Sequence, residues 1–333
     1  MSKLAIRLAL TTAGALQRRL SIVLFHRVLS APDALLPDEP DIVRFAEQIS
    51  WLRDCFRILP LTDAAARLAA GTLPARALCI TFDDGYRDNA DNALPVLQDL
   101  GVPATFFVTT RYLAGGMMWN DRVVEAVRHW PEAHTHLDIS MHGLQSPALA
   151  MGRKAVMENV LLQMKYLDYG VRETLADELL ARSAAPARRM MMNESEIRTL
   201  HAAGMEIGGH TVSHPILCKL PASEARREIA DNKSTLEQII GAPLTSFAYP
   251  NGKPQRDYGA EHVAMLRERG YRYALTTSAG AANRSTSLLQ LPRFTPWDRD
   301  ATRYLARMAA NYFRAPECVD ESVKVAATAQ PAR

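Results

Sequence analysis

A chain of 333 residues is long enough to bury a large core, either as about two domains or as one large α/β barrel. Its 48% apolar and 23% charged residues are ordinary for a soluble globular protein. The formal net charge of +3 is small and no block of like charge stands out, which leaves no basis for a nucleic-acid partner. Cys55, Cys79, Cys218 and Cys318 lie far apart and form no CxxC, which argues against a disulfide framework or a thiolate zinc site. They fit a reducing compartment, although free core cysteines would look the same, and the expectation is a cytoplasmic protein.

The first twenty residues, MSKLAIRLALTTAGALQRRL, form an apolar run interrupted by Arg7 and followed by Arg18 and Arg19. With no good small-residue cleavage site it is a poor signal peptide, and it is too short to span a bilayer. An amphipathic helix over 1–20 packed on the domain is expected. The alternative is peripheral contact with the inner membrane through Lys3, Arg7, Arg18 and Arg19.

Strand-like runs follow at 21–26 (SIVLFH), 77–82 (ALCITF), 104–109, 205–210, 245–250, 271–277 and 287–293. Between them, helical periodicity covers 43–56, 61–70, 92–101, 153–182, 193–204, 221–241 and 261–270. Asn193 with Glu196 marks a capping box at the start of one helix. This alternation implies βαβ units and a parallel sheet, and about seven such units predict a single barrel over 21–313. Residues 112–192 are long for a crossover and are expected to form a helical insertion over the barrel mouth. The tail 314–333 has little apolar periodicity and is expected to be loose.

Catalytic groups of a parallel barrel sit at the C-terminal ends of its strands. Three features fall there: the adjacent carboxylates Asp83 and Asp84, His210, and Tyr249–Pro250. HTVSH (210–214) places two imidazoles at i and i+4, on one face if the segment is helical or tightly turned. Two imidazoles and one carboxylate make a catalytic metal set, and the second carboxylate is then free to take a proton from water. DDG by itself is equally well a solvated turn; beside HTVSH that explanation weakens.

TFDDGY (81–86) and HTVSH resemble the first two motifs of the NodB-like polysaccharide deacetylases, metal-dependent hydrolases of carbohydrate N-acetyl groups. ATFFV (104–108), MMWNDRV (117–123), FAYPNG (247–252) and LPRF (291–294) extend the likeness over roughly residues 21–297. The resemblance implies a distorted (β/α)7 barrel, with Asp83 as general base and Asp84, His210 and His214 as metal ligands. It also implies the Tyr249 backbone N–H as a donor to the oxyanion. Zinc is the default metal by availability, with cobalt and nickel also suited to the ligands.

Two departures from the family pattern stand out. Ala248 occupies the position of the usual base-holding arginine, and no histidine follows His262 to serve as the usual C-terminal acid. FHRV (25–28) resembles the first strand end of an exopolysaccharide deacetylase branch. His26 is therefore the candidate acid, against a strand-end histidine bonded to a backbone carbonyl. Arg293 of LPRF is the candidate replacement for the missing arginine, against a purely structural salt bridge. Trp119, Asn120, Asp121 and Trp297 are candidates for a sugar site, although an indole is as commonly plain core. The implied substrate is an N-acetylated glycan. The alternatives are a small cyclic amide or ureide on the same fold, or a carbohydrate-binding protein without catalysis.

Overall fold

The computed structural model describes residues 11–12 and 18–322. The helix expected over 1–20 lies for the most part outside the described residues, as do residues 323–333. In chain order the elements begin with β1 (Ser21–Phe25), α1 (Ile42–Cys55), β2 (Arg57–Ile58), α2 (Leu61–Ala70) and β3 (Ala77–Phe82). A π-helical turn at Asn89–Ala93 runs into α3 (Leu94–Asp99), followed by β4 (Thr105–Val108), α4 (Trp119–Arg128), α5 (Arg153–Met164) and α6 (Tyr169–Arg182). The chain continues through α7 (Glu194–Ala202), β5 (Glu206–Gly209), α8 (Ala222–Ile240), β6 (Ser246–Ala248), α9 (Ala260–Glu268), β7 (Tyr273–Leu275) and α10 (Ala301–Tyr312). No helix among the described residues is long and apolar enough to cross a membrane.

Every strand pair is parallel, in the order β1-β3-β4-β5-β6-β7, with the short β2 also on β3. The sheet curls into a distorted barrel whose remaining gap is bridged by an irregular segment. Leu291 N donates to Ala274 O (2.8 Å) on the β7 side, and Phe294 N donates to Ile22 O (2.9 Å) on the β1 side. The run expected as a strand at 287–293 is this bridge. Pro292, which has no N–H to give a ladder, sits in its middle.

Period-two alternation sorts the strand residues into two sets. Leu78, Ile80 and Phe82 of β3 join the outer core beneath the helices, with Phe25, Phe45 and Phe106. There Phe82 and Phe106 stack at 4.7 Å and Phe25 meets Phe45 edge-on at 5.3 Å. Each such fully enclosed ring is worth about 1.5–3 kcal/mol of burial. Ala77 and Cys79 instead join the set formed by Ile22, Phe107, Ala248, Leu275 and Leu291, onto which α2 packs Leu61, Ala64 and Leu68. Continuing the alternation, Thr81 and then Asp83 face the same way as Cys79. The strand pattern itself aims Asp83 inward, at the C-terminal rim.

Within 112–192, α4, α5 and α6 enclose an apolar cluster of their own, including Trp119, Val123, Val127, Val156, Val160 and Leu175. Met190–Met192 return the chain to the barrel as packing and backbone support, with Met192 N donating to Gly85 O (2.9 Å). Two parts of the C-terminal region differ from expectation. Helix α10 buries Tyr304, Leu305, Met308 and Tyr312 against the outer core, behind an Asp300 cap. The described part of the tail is tied down: Val319 N donates to Gln290 Oε1 (2.7 Å) and Glu321 pairs with Arg267 (2.6 Å).

Candidate active site

Asp83 leaves β3 with its N–H still donated to Phe25 O of β1 (2.9 Å). Its two carboxylate oxygens each accept a hydrogen bond from Arg293, from Nη1 and Nη2, both at 2.7 Å. The guanidinium is enclosed, with Nε donated to Thr276 O (3.0 Å). Burial pushes the Asp83 carboxyl up, but Arg293 more than offsets it and holds the group ionised, below the usual carboxylate range. Arg293 thus reaches Asp83 from the bridging segment, whereas a side chain at Ala248 would have come from β6.

Simple alternation would send Asp84 outward, towards the helices. Instead its backbone takes a left-handed conformation (φ 76°), and Gly85 follows at φ 88°. Gly85 is required here for two reasons: its φ is unfavourable for other residues, and an added Cβ would lie 2.8 Å from Val108 Cγ1. Thr109 N and Oγ1 donate to Asp84 O (3.2 and 2.9 Å) and fix the turn.

The HTVSH segment is a tight turn, not a helix, with Thr211 (φ 64°) and His214 (φ 57°) both left-handed. It nonetheless brings the imidazoles together, with ring centroids 4.8 Å apart. Two residues that sequence reading missed hold it in shape. Asn232, fully buried on α8, accepts from His210 N (3.1 Å) and donates to Thr211 O (2.6 Å) and Val108 O (3.0 Å). Glu228, one helical turn earlier, accepts from Val212 N, Ser213 N and Ser213 Oγ at 2.7–2.8 Å. A signal existed: Asn232 interrupts the apolar stripe Ala225, Ile229, Leu236, Ile239.

Three ligand-type atoms converge here. His210 Nε2 and His214 Nε2 lie 3.3 and 3.4 Å from Asp84 Oδ1. His210 Nδ1 is 2.7 Å from Ala248 O, and a carbonyl only accepts, so Nδ1 carries a proton and Nε2 is the nitrogen turned towards Asp84. Burial pushes His214 down to about 3, so its ring is neutral. Asp84 Oδ1 is buried and receives no hydrogen bond. Two imidazole nitrogens and an ionised oxygen converging on one point suit a divalent cation, and the residues present fit one. A second group of ligand-type residues, Cys218, Glu261 and His262, does not: His262 Nδ1 already accepts from Gly259 N (2.9 Å).

Asp83, Asp84, His210 and His214 form the floor of a cavity of about 620 Å³. His26 lines it from the end of β1, as do Trp119, Asn120 and Asp121 from the first turn of α4 and Asn251 and Thr277 from loops. The β1 and β3 ends are tied together by Asn89 Nδ2 donating to His26 O (2.9 Å) and Val28 N donating to Asp88 Oδ1 (3.2 Å). Trp119 is 8% exposed, with the Arg172 guanidinium 4.9 Å from its ring, so it serves as wall and core at once. Asp121 accepts from the Tyr86 hydroxyl (3.0 Å) and Met118 N (3.2 Å). Trp297 lies outside this cavity, on a groove that adjoins it.

Tyr249 does not have the expected role. Its backbone N–H is donated to Leu275 O (3.1 Å) as part of the β6–β7 pairing and is unavailable to an oxyanion. Its side chain is fully buried, stacked on Tyr258 at 3.9 Å and donating to Leu289 O (3.0 Å). The residue of this loop that lines the cavity is Asn251, at φ 58°.

A curled parallel sheet with a carboxylate–guanidinium pair beside a carboxylate and two imidazoles, all at strand ends, has the layout of a hydrolytic centre. The chain belongs to the polysaccharide deacetylase family, whose model matches residues 70–165 and 179–274. It is 22% identical over 277 residues to YxkH of Bacillus subtilis (strain 168), assigned as a polysaccharide deacetylase, covering 83% of this chain and 70% of that one. It is 28% identical over 135 residues to the poly-β-1,6-N-acetyl-D-glucosamine N-deacetylase of Staphylococcus epidermidis, covering 37% of this chain and 47%, about half, of that enzyme. Among solved structures, IcaB from Ammonifex degensii has the same fold, with a TM-score of 0.55 and 20% identity over 86% of this chain and 97% of that one. The deacetylase PplD of Streptococcus pyogenes, solved with acetate, also gives a TM-score of 0.55, with 18% identity over 84% and 92% of the two chains.

Proposed function

We propose that the protein removes acetyl groups from N-acetylhexosamine units of a bacterial glycan, releasing acetate and a free sugar amine. The observation that carries this reading is the pairing of roles on β3. Asp83 is held ionised by Arg293, while Asp84 turns towards His210 and His214.

Asp84, His210 and His214 would hold a divalent cation, with zinc the default and cobalt or nickel also suited, which would supply the charge that acidifies water and polarises an acetamide carbonyl. Asp83 takes the proton of the attacking water, and Arg293 fixes the direction in which its oxygens face. A new C–O bond forms as the carbonyl becomes tetrahedral, and the backbone of the loop at Asn251, which lines the cavity, is the nearest source of an N–H for the oxyanion in place of Tyr249. His26, which lines the same cavity from the end of β1, gives a proton to the nitrogen as the C–N bond breaks.

A cavity of about 620 Å³ that continues into a further groove favours a glycan over a small cyclic amide. An inactive binding protein would have no use for a buried ion pair aimed at the cavity. The test is acetate release from β-linked N-acetylglucosamine oligomers by the metal-loaded protein. Asp83→Asn should abolish release while the metal still binds; undiminished release would refute the base assignment.

A further inference from the structure

One side of the cavity carries positive charge that the acetamide chemistry does not use. Lys165 follows the last turn of α5 and lines the cavity together with Asp83, Asp84 and the two imidazoles. Arg256, on the loop after β6, stands beside it. Its guanidinium lies 4.2 Å from the centre of the Tyr166 ring, and the Lys165 ammonium lies 5.7 Å from the same ring. Lys253 belongs to the Arg256 loop, which also brings Asn251 to the cavity wall.

That loop is braced. Lys253 N donates to Asp257 Oδ2 (3.0 Å), Asp257 N donates to Lys253 O (2.9 Å), and Thr277 N donates to Gly252 O (3.0 Å). Asp257, the only acid of the loop, is fully buried and taken up by its own backbone. Glu158, which lines the cavity from α5, is paired with Lys154 (3.1 Å). None of Lys165, Lys253 and Arg256 makes an ion pair with a described residue. Burial, and then repulsion by Lys253 and Arg256, hold the Lys165 ammonium below the usual lysine range, against the pull of Asp257. A cation just past a helix C-terminus is ordinary, because the carbonyl end attracts it. That accounts for Lys165, but not for two further cations from a separate loop. Three like charges gathered beside a cavity repel one another, and an anion seated among them relieves the repulsion.

We propose that Lys165, Lys253 and Arg256 select a glycan that carries a negative charge, a carboxylate or a phosphate, close to its N-acetylated sugar. This rests on the deacetylase reading for the chemistry and adds the charge of the substrate, which Asp83 and the ligand set leave open. A chain of N-acetylglucosamine alone has no group for these cations to recognise.

The test measures acetate release by the metal-loaded protein from two matched pairs. One pair is N-acetylglucosamine linked to glucuronic acid and the methyl ester of that disaccharide, which share a shape and differ in charge. The other is N-acetylglucosamine 1-phosphate and the neutral methyl glycoside. At least one anion should exceed its neutral partner by about tenfold in kcat/KM at low salt, at roughly two- to threefold per exposed cation. The advantage should shrink as sodium chloride rises, because such charges are screened within about 10 Å at 0.1 M. Lys165→Gln should lower the charged-to-neutral ratio, and the triple variant Lys165→Gln, Lys253→Gln, Arg256→Gln should bring it close to one. A fold defect slows both members of a pair alike and leaves the ratio unchanged. An advantage confined to the uronate identifies a carboxylate, and one confined to the 1-phosphate identifies a phosphate. No advantage for either anion, or one that survives in the triple variant, overturns the proposal. Calorimetry on the Asp83→Asn protein separates this from the deacetylase reading. Binding of an anion that exceeds its neutral partner and depends on the three cations supports the site even where no acetate is released, and equal binding within both pairs refutes it.

Discussion

The clamp on Asp83 gives the sharpest prediction. Both partners are enclosed, 0% and 4% exposed at the side chain, and joined by two bonds of 2.7 Å. Replacing Arg293 by Met leaves a carboxylate buried without its counter-charge, a change that costs about 3–5 kcal/mol. At about 2–4 °C per kcal/mol for a large domain, the melting temperature should fall by roughly 10 °C. Burial pushes the Asp83 carboxyl up and Arg293 is the largest influence pulling it down, so without the guanidinium the group binds its proton more tightly and loses the fork that aims its oxygens. Acetate release should then drop by at least roughly a hundredfold in kcat, the lower range for loss of a positioned proton acceptor. Arg293→Lys keeps the charge but loses the two-pronged fork, and should retain more stability than activity. The double variant Asp83→Asn, Arg293→Met removes both charges and should be more stable than Arg293→Met alone. Thermal unfolding of the wild type, Asp83→Asn, Arg293→Met and the double variant closes the cycle. Additive stability changes, or an Arg293→Met protein with wild-type kcat, would refute the argument.

Three further outcomes follow from the same geometry. Zinc at a hundredfold excess over its dissociation constant should stabilise the protein by about 2.7 kcal/mol, and His214→Ala should abolish that increment and metal retention on dialysis; an equal metal-induced shift in the variant would sink the ligand assignment. Burial pushes the Asp121 carboxyl up to about 7, against the opposing pull of Arg27 and the Tyr86 hydroxyl. The folded state holds that proton more tightly than the unfolded chain, so the contribution is full below about pH 4 and is lost as pH rises through 7, on the order of 4 kcal/mol in all. Asp121→Asn should flatten that fall, and an unaltered stability profile between these limits contradicts it. Gly85→Ala meets both a φ of 88° and Val108 Cγ1 at 2.8 Å, and should cost about 1–3 kcal/mol while displacing Asp84. A stable, metal-binding Gly85→Ala protein would show that the turn is not needed.

How much of this was legible in the sequence depends on the range over which each signal acts. The barrel strands were readable because burial on both faces leaves unbroken apolar runs such as ALCITF, which is β3 residue for residue. Asp83, Asp84, His210 and His214 were readable as a group because strand ends collect at one rim whatever the details of the fold. The bridging segment was harder: its bonds to β7 and β1 are tertiary, and Leu288–Pro292 shows only apolar character that a strand would share. Helix α10 was overlooked although Tyr304, Leu305, Met308 and Tyr312 recur at helical spacing behind Asp300.

Tyr249 and Arg293 mark the limit from opposite sides. Both belong to short motifs, and a motif says which residues are near the chemistry without saying which atoms face it. At Tyr249 the parallel pairing of β6 with β7 decides the matter, since Ala248 opposes Leu275 and the next N–H goes to the same carbonyl. At Arg293 the deciding fact is closure of the barrel, which brings a segment 210 residues distant in sequence within 2.7 Å of the base. A guanidinium can enter from any neighbouring strand end, because the barrel interior is one shared space and Asp83 needs only a fork of fixed shape. The absence of arginine at Ala248 therefore changes the route by which the cation arrives and leaves intact the physical requirement that a buried base be paired.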